Sequence, residues 1–383
     1  MRLLTDIQIA QNIPILVRAS LNVPVEHGAV ANAYRLRRAL PTIRALCARG
    51  ARVVLISHLG EQGTETLAPV AVALGKLIPG VSFFGETIGE RARAAVRVLA
   101  PGKILVLENL RRNRGEKLND REFAQELAAL ADIFVEDSFD TCHRSHASIV
   151  TVPQLLPSYG GLLLEEEMRE LTSARAPNHP SFAMIGGAKF STKEAVLTEL
   201  LTSYTNVGIG GALANDFLKV AGHPVGKSLV SEENDAAIKK ILAHKKLVLP
   251  VDSVVVRESA IDSLSALADA RIASLDDVRP DEVILDHGPG TRALFAELAA
   301  RAKTILWNGP LGKYEQGFTA STDAFARAVA ASKARSIIGG GDTVAAIENL
   351  GLLSQFSFVS TGGGAMLDYL AYGTLPGIEA LER

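Results

Sequence analysis

Cysteine is scarce in this chain: 383 residues contain only Cys47 and Cys142. That excludes a disulfide framework and suits a reducing compartment. An excess of either charge is also lacking. Lysine and arginine number 40 against 42 aspartates and glutamates, a formal net charge of −2, so bulk electrostatics gives no reason to expect nucleic acid. No apolar run reaches the roughly 20 residues of a membrane-spanning helix. The start, Met1-Arg2-Leu3-Leu4-Thr5-Asp6, has no signal-peptide core. The expected compartment is cytoplasmic, with neither membrane nor nucleic acid as a partner. Several well-known signatures are missing as well. No G-x-G-x-x-G follows the first strand of either half, which argues against a dinucleotide oxidoreductase. There is no G-x-S-x-G elbow and no protein-kinase H-R-D with D-F-G. Gly222-His223-Pro224-Val225-Gly226-Lys227-Ser228 imitates a Walker A loop but is one residue short and follows a helical pattern.

What is present is a soluble composition, 48% hydrophobic and 21% charged, in a chain long enough for two domains. Apolar β-branched runs at 13–17, 52–56, 81–84, 103–107 and 133–135 alternate with helical patterns at 67–77, 87–99 and 120–131. Arg35-Leu36, Leu40, Ile43 and Leu46-Cys47 recur at i, i+4 and i+7 spacing. The alternation predicts an α/β fold, a parallel sheet with helices on both faces. A strong helix former at 162–174 lies between Gly160-Gly161 and Pro177, and reads as a helix joining two domains, with a hinge there. Beyond it the rhythm resumes, with strands predicted at 181–185, 206–209, 247–249, 283–285, 304–307, 336–338 and 356–359.

Ligands of such sheets bind beyond the carboxyl ends of the strands, and there the two halves differ. The first half offers Arg18 and Asn22, Ser57-His58, Glu108-Asn109-Leu110-Arg111, and His143-Arg144-Ser145-His146, with Arg35 opening a helix. Any one of these alone reads as a solvated charge; as a set they point to an anionic substrate. Cys142, His143 and His146 also suggest a metal, but no fourth ligand is near. The second half ends its strands in glycine: Gly186-Gly187-Ala188-Lys189, Gly210-Gly211-Ala212, Gly288-Pro289-Gly290, Asn308-Gly309-Pro310, Gly339-Gly340-Gly341-Asp342-Thr343 and Thr361-Gly362-Gly363-Gly364. Bare backbone at a helix start aims several N–H groups at one point, which suits a phosphate. One such turn is equally consistent with architecture alone; two triple glycines in succession, one followed by Asp342-Thr343, favour a nucleotide with Mg²⁺. Trp307 is pocket wall or core, with core favoured.

Assembled in this order, Leu16-Val17-Arg18, Asn22-Val23-Pro24, Ser57-His58-Leu59-Gly60, Leu107-Glu108-Asn109-Leu110-Arg111, His143-Arg144-Ser145-His146, Gly186-Gly187-Ala188-Lys189, Trp307-Asn308-Gly309-Pro310 and the triple glycines resemble the phosphoglycerate kinase family from about residue 13 onward. The resemblance implies two Rossmann-like, doubly wound domains joined by an interdomain helix. These would be residues 1–160 with about 370–383 for phosphoglycerate, a hinge at 161–175, and 176–369 for the nucleotide. It implies reversible transfer between 1,3-bisphosphoglycerate and MgADP, giving 3-phosphoglycerate and MgATP, in a monomer. By carry-over the acceptor side would be Arg18, Ser20, Asn22, Arg35, His58, Glu61, Arg111, His143, Arg144 and His146. The nucleotide side would be Gly187, Lys189, Lys193, Gly210, Gly211, Asn308, Pro310, Glu315, Gly340, Gly341, Asp342 and Thr343, with Asp342 on Mg²⁺. Catalysis would fall to Arg35, Lys189, Lys193, Gly362, Gly363 and Gly364, after closure and without a general base.

Three positions depart from the family pattern. Ser20 stands where aspartate is usual, Glu61 where arginine is, and Lys313 where an aliphatic residue lines the base pocket. Glu61 is expected to repel a bound phosphate, with Arg37, Arg38, Arg112 and Arg114 as cations that could offset it. The alternative to an enzyme is a non-catalytic nucleotide- or phosphoglycerate-binding protein on the same scaffold.

Overall fold

The computed structural model describes residues 2–7, 11–231, 235–261 and 266–382. The chain divides into two compact units, Met1–Arg169 with Thr374–Arg383, and Glu170–Gly373. The helix Leu162–Arg175 runs through the point of division.

The strands of the first unit are β1 (Pro14–Ala19), a short antiparallel pair β2 (Val25–Glu26) and β3 (Ala29–Val30), then β4 (Arg52–Ile56), β5 (Val81–Phe84), β6 (Ile104–Leu107), β7 (Ile133–Asp137) and β8 (Ser158–Gly160). Six of them form a parallel sheet in the order β5-β6-β4-β1-β7-β8. Every residue of β1 after Pro14 is buried, as are all of β6 and β7. Strands covered on both faces are mostly apolar, which is why 13–17, 103–107 and 133–135 read as runs in the sequence; Arg18, Glu136 and Asp137 are buried ionisable residues at the carboxyl ends of β1 and β7. The helix Tyr34–Ala48 buries Leu36, Leu40, Ile43 and Leu46 in a core with Ile15, Val17, Val53 and Val106. Each such side chain contributes about 1.5–3 kcal/mol when fully buried. Asp120 caps the helix Arg121–Ala128 by accepting from Phe123 N at 2.8 Å. The last helix, Pro376–Leu381, also belongs to this unit. Gly377 N donates to Cys142 O at 2.9 Å, and a Cβ on Gly377 would lie 3.0 Å from Cys142 Sγ.

The second unit contains β9 (Ser181–Ile185), β10 (Asn206–Ile209), β11 (Leu247–Val248), β12 (Asp252–Arg257), β13 (Arg271–Ser274), β14 (Glu282–His287), β15 (Thr304–Asn308), β16 (Arg335–Gly339) and β17 (Phe358–Val359). Its main sheet is parallel, in the order β11-β10-β9-β15-β16-β17. One expectation fails here. The strand predicted at 283–285 is not part of the parallel rhythm: β14 pairs antiparallel with β12, which pairs antiparallel with β13. β12 and β13 escaped the sequence reading because β12 is only half covered and mixes Asp252, Ser253 and Arg257 with its valines. The helix start at Gly288-Pro289-Gly290 therefore follows the small sheet rather than the main one. Three-residue β8, with no β-branched residue, was also missed.

Strand order reverses between β9 and β15 in the second unit; in the first it reverses between β1 and β7, and β6 also folds back between β4 and β5. A doubly wound sheet opens its binding crevice at such a reversal.

Candidate functional site

The edge of the first unit is a network of buried polar groups. Arg18, at the end of β1, is buried and engages protein with each guanidinium nitrogen. Nε donates to Ser148 Oγ at 3.2 Å, Nη1 to Ala19 O and Ser57 Oγ at 3.3 Å, and Nη2 meets His58 Nδ1 at 3.1 Å. Arg18 thus stands behind His58. Ser148 Oγ in turn donates to Glu116 Oε1 at 2.7 Å, and Glu116 Oε2 accepts from Ser148 N at 3.0 Å. Glu116 is wholly buried. It sits in the charged run Arg114-Gly115-Glu116-Lys117, which in sequence reads as solvated surface, so nothing local flags it.

The histidines were expected to add positive charge, and two of them do not. Burial, then the neighbouring Arg18, Arg111 and Arg144, push His58 well below its ordinary range. Burial with Arg111 and Arg144 brings His146 down to about 4. Both rings are neutral at pH 7 and take part as hydrogen-bonding groups, because an apolar setting among cations disfavours a further cation. His143 and Arg144 lie part-buried in the same loop.

Around these groups the loops are fixed to one another. Asn109 Nδ2 donates to Leu59 O at 2.8 Å and to Glu65 O at 2.9 Å, while its Oδ1 accepts from Leu59 N and Arg111 N at 3.1 Å. Asn22 Oδ1 accepts from Gly60 N at 3.2 Å. Arg35 Nη1 donates to Asn22 O at 2.8 Å and lies 3.3 Å from Asp140 Oδ2. Ser20, 1% exposed, has a hydroxyl with no partner among the described residues.

Glu61, expected to repel a bound phosphate, stands in contact with two arginines of the same edge, Arg111 and Arg144. Its carboxylate lies 3.1 Å from Arg111 Nη1 and 3.4 Å from Arg144 Nη2. Burial alone would push this carboxyl up, yet the two guanidiniums outweigh that and hold it below the usual range. Two of the four cations named as possible offsets pair elsewhere: Arg38 with Glu166 at 3.0 Å and Arg112 with Glu108 at 2.7 Å. The possible Cys142 metal site is not formed. No group of three His, Cys, Asp or Glu able to hold a metal exists among the described residues, and the buried Cys142 thiol is pushed well up by burial and nearby carboxylates.

The edge of the second unit is built from backbone. Where β9 and β15 part, Gly186 N donates to Asn308 O at 2.8 Å and Gly187 N to Pro310 O at 3.0 Å. A Cβ on Gly186 would fall 2.3 Å from Pro310 O, so only glycine fits. These turns and the helix start Gly341–Asn349 wall a cavity of about 240 Å³, lined by Gly187, Lys189, Lys193, Asn308, Pro310, Gly340, Gly341, Asp342 and Thr343 among others. Lys193, just before the helix Glu194–Ser203, is half-buried; burial and then Lys189 lower its ammonium's pKa. Asp342 is exposed in the first turn of its helix. Thr343 is buried, and its hydroxyl accepts from Gly309 N at 2.9 Å. At the cavity wall it therefore holds the Asn308 loop.

The remaining expected residues line no part of that cavity. Gly210 and Gly211 follow β10; Gly211 N donates to His287 Nε2 at 3.0 Å, and burial holds this histidine at a pKa of about 4. Glu315 is exposed on the turn Tyr314–Gln316, next to part-buried Lys313. Gly362, Gly363 and Gly364 open the helix Gly364–Tyr372, with Gly363 at φ +54°. Trp307 is core: it is buried, packs edge-on to Phe325 at 5.0 Å and donates to Gly309 O at 2.9 Å. The loop that imitates Walker A begins at Gly222, which ends the helix Leu213–Ala221 in a left-handed cap.

Comparison with known proteins adds to this geometry. The family model described as phosphoglycerate kinase matches residues 4–372. Phosphoglycerate kinase from Azorhizobium caulinodans is 44% identical, over 96% of this chain and 96% of the relative. That of Moorella thermoacetica is 42% identical over 99% and 98%. Among solved structures, phosphoglycerate kinase from Coxiella burnetii has a TM-score of 0.81 at 40% identity, covering 97% of this chain and 96% of that one. The enzyme from Pyrococcus horikoshii has a TM-score of 0.88 at 28% identity, covering 100% and 98%.

Proposed function

The chain belongs to the phosphoglycerate kinase family, and from that premise we propose the division of roles set out below. As a phosphoglycerate kinase it transfers a phosphoryl group reversibly between 1,3-bisphosphoglycerate and ADP, giving 3-phosphoglycerate and ATP, a step of glycolysis. The first unit takes the phosphoglycerate and the second the nucleotide. The observation that carries this division is the glycine-walled cavity with Lys189, Lys193 and Asp342, which offers backbone N–H groups and two ammonium groups to a polyphosphate.

On the acceptor side Arg35, Arg111 and Arg144 supply positive charge. Neutral His58 and His146, with His143 and Asn22, supply hydrogen bonds, and Arg18 positions His58. Ser20 contributes its unpartnered hydroxyl to the glycerate. On the nucleotide side Lys193 lies across Gly187, where a Cβ would sit 3.5 Å from Lys193 Nζ. Gly210, Gly211, Pro310 and Glu315 hold the base and ribose. Gly340 and Gly341 face the phosphates, and Asn308 and Thr343 hold the turn around them. Asp342 brings a carboxylate to the cavity and would hold Mg²⁺ together with nucleotide oxygens, the pattern Mg²⁺ usually takes. When bound, Mg²⁺ neutralises charge on the transferring phosphate.

The nucleophile in the ATP-consuming direction is a carboxylate, ionised at neutral pH, so no general base is needed. The catalytic demand is to hold two substrates in line and to stabilise the phosphoryl charge. Arg35 answers it from the first unit; Lys189, Lys193 and the helix start at Gly362, Gly363 and Gly364 answer it from the second. Closure at the helix Leu162–Arg175 would engage them together. A cytoplasmic monomer is the expected form, and no helix among the described residues is long and apolar enough to cross a membrane. The non-catalytic alternative has no support among the relatives. A coupled assay for ATP formation from 1,3-bisphosphoglycerate and MgADP tests the assignment: turnover is expected, and none at millimolar substrate, with MgADP still bound, would refute it.

A further inference from the structure

Glu61 bridges two loops of the first unit. Its Oε2 lies 3.1 Å from Arg111 and its Oε1 3.4 Å from Arg144, so each carboxylate oxygen answers one guanidinium. Arg111 belongs to the turn Leu110–Arg112 after β6, and Arg144 to the loop after β7. The Arg111 side chain is 1% exposed, and its Nε and Nη2 have no partner among the described residues. A buried guanidinium with unused donors is costly, and it is relieved by an anion richer in acceptor oxygens than one carboxylate. The backbone beneath Glu61 is pinned: Arg111 Nη1 donates to Gly60 O at 2.5 Å, and Lys117 Nζ donates to Glu61 O. The Glu61 side chain itself is 65% exposed and can rotate outward.

Resting on the assignment of this cluster to phosphoglycerate, we propose that Glu61 is a specificity-determining residue that competes with the substrate's phosphate for Arg111 and Arg144. The carboxylate sits on Arg111 Nη1 and Arg144 Nη2, so a phosphate that engages these two nitrogens has to displace Glu61 from them. Glu61 is the exposed partner of both pairs, so solvent keeps them weak, and displacing it weakens ligand binding about fivefold. Competition by contact depends on reach as well as charge, which separates it from simple repulsion.

The test is calorimetric binding of 3-phosphoglycerate to the full chain and to Glu61→Gln and Glu61→Asp, with turnover followed in parallel. Glu61→Gln is expected to lower Kd about fivefold and to lower KM for 3-phosphoglycerate but not for MgATP. Glu61→Asp keeps the charge but is a methylene shorter, and is expected to tighten binding at least about twofold as the bridge is lost. An unchanged or raised Kd in Glu61→Gln would overturn the proposal, as would Glu61→Asp behaving like the parent. Tighter binding in both variants without turnover in any would uphold the role of Glu61 while removing the kinase reading, so the two failures are distinct.

Discussion

The edge of the first unit consists of side chains that need partners, whereas the edge of the second consists of backbone that needs space. Arg18, Glu116, Glu136 and Asp137 are buried behind the first edge; Arg18, Glu116 and Asp137 are placed by hydrogen bonds to distant segments, and Glu136 accepts from Ser138 N just beyond it. Behind the second edge the comparable positions are Gly186, Gly211 and Gly309, where an added Cβ would meet backbone atoms at 2.3, 2.7 and 2.4 Å. Both can hold a phosphate, but they are vulnerable in different ways. The side-chain edge tolerates exchange at its exposed members and gains or loses affinity by degrees. The backbone edge has little to exchange except its lysines, and a single methyl group in the wrong place takes the fold with it.

Lys193→Ala puts the greatest strain on that contrast. If the second unit supplies the charge that stabilises the transferring phosphoryl group, losing this ammonium should lower kcat by about 10²–10³-fold, some 2.7–4 kcal/mol. KM for 3-phosphoglycerate, which reports on the first unit, should stay within about twofold. Steady-state kinetics decides it. An undiminished kcat would mean that the transfer apparatus lies elsewhere.

Gly309→Ala tests the backbone side directly. Gly309 has φ +94°, and its Cβ would stand 2.4 Å from Gly186 C and 2.5 Å from Gly186 O. Neither atom can move without disturbing the β9–β15 pairing, so a loss of about 3 kcal/mol is expected from strain and overlap. Thermal unfolding followed by calorimetry should show the loss. A variant as stable as the parent would show that the glycine turn has slack.

These contrasts were partly legible in the sequence, and the physical reasons differ by residue. Glycines after strands and arginines at strand ends are local signals, and they marked both edges. Buried β6 and the leading parts of β1 and β7 announced themselves as apolar runs. The antiparallel β12–β14 sheet did not, since its strands are half covered and their pairing is non-local. The protonation of His58 and His146 was misread because it depends on burial among arginines brought from several loops. The contacts of Glu61 were invisible for the same reason, as sequence gives its charge but not its reach. The buried role of Glu116 was hidden by its charged neighbours.

The smallest predicted effect concerns how each edge answers pH. Asp137, at the end of β7, is wholly buried, and its Oδ1 accepts from Leu163 N at 2.9 Å and Leu164 N at 3.4 Å at the start of the helix Leu162–Arg175. Burial outweighs these bonds and raises its carboxyl to about 7. An acid whose pKa is higher folded than unfolded binds more protons in the folded state, so the contribution of Asp137 to stability falls as pH rises from about 4 towards 7 and then levels off. Between about pH 5 and 7 the fall should be ~2 kcal/mol at most, since a tenfold change in an acid's dissociation constant is worth about 1.4 kcal/mol. Asp137→Asn keeps an oxygen for the helix N–H groups and removes the titration. It should remove this falling contribution, so that over that window the variant's unfolding midpoint shifts upward with pH relative to the parent's, added to the opposite trend set by buried His58, His146 and His287. An equal slope in both proteins would shift the response to another buried carboxyl of the same edge, with Glu136 first in line because burial raises it in the same direction.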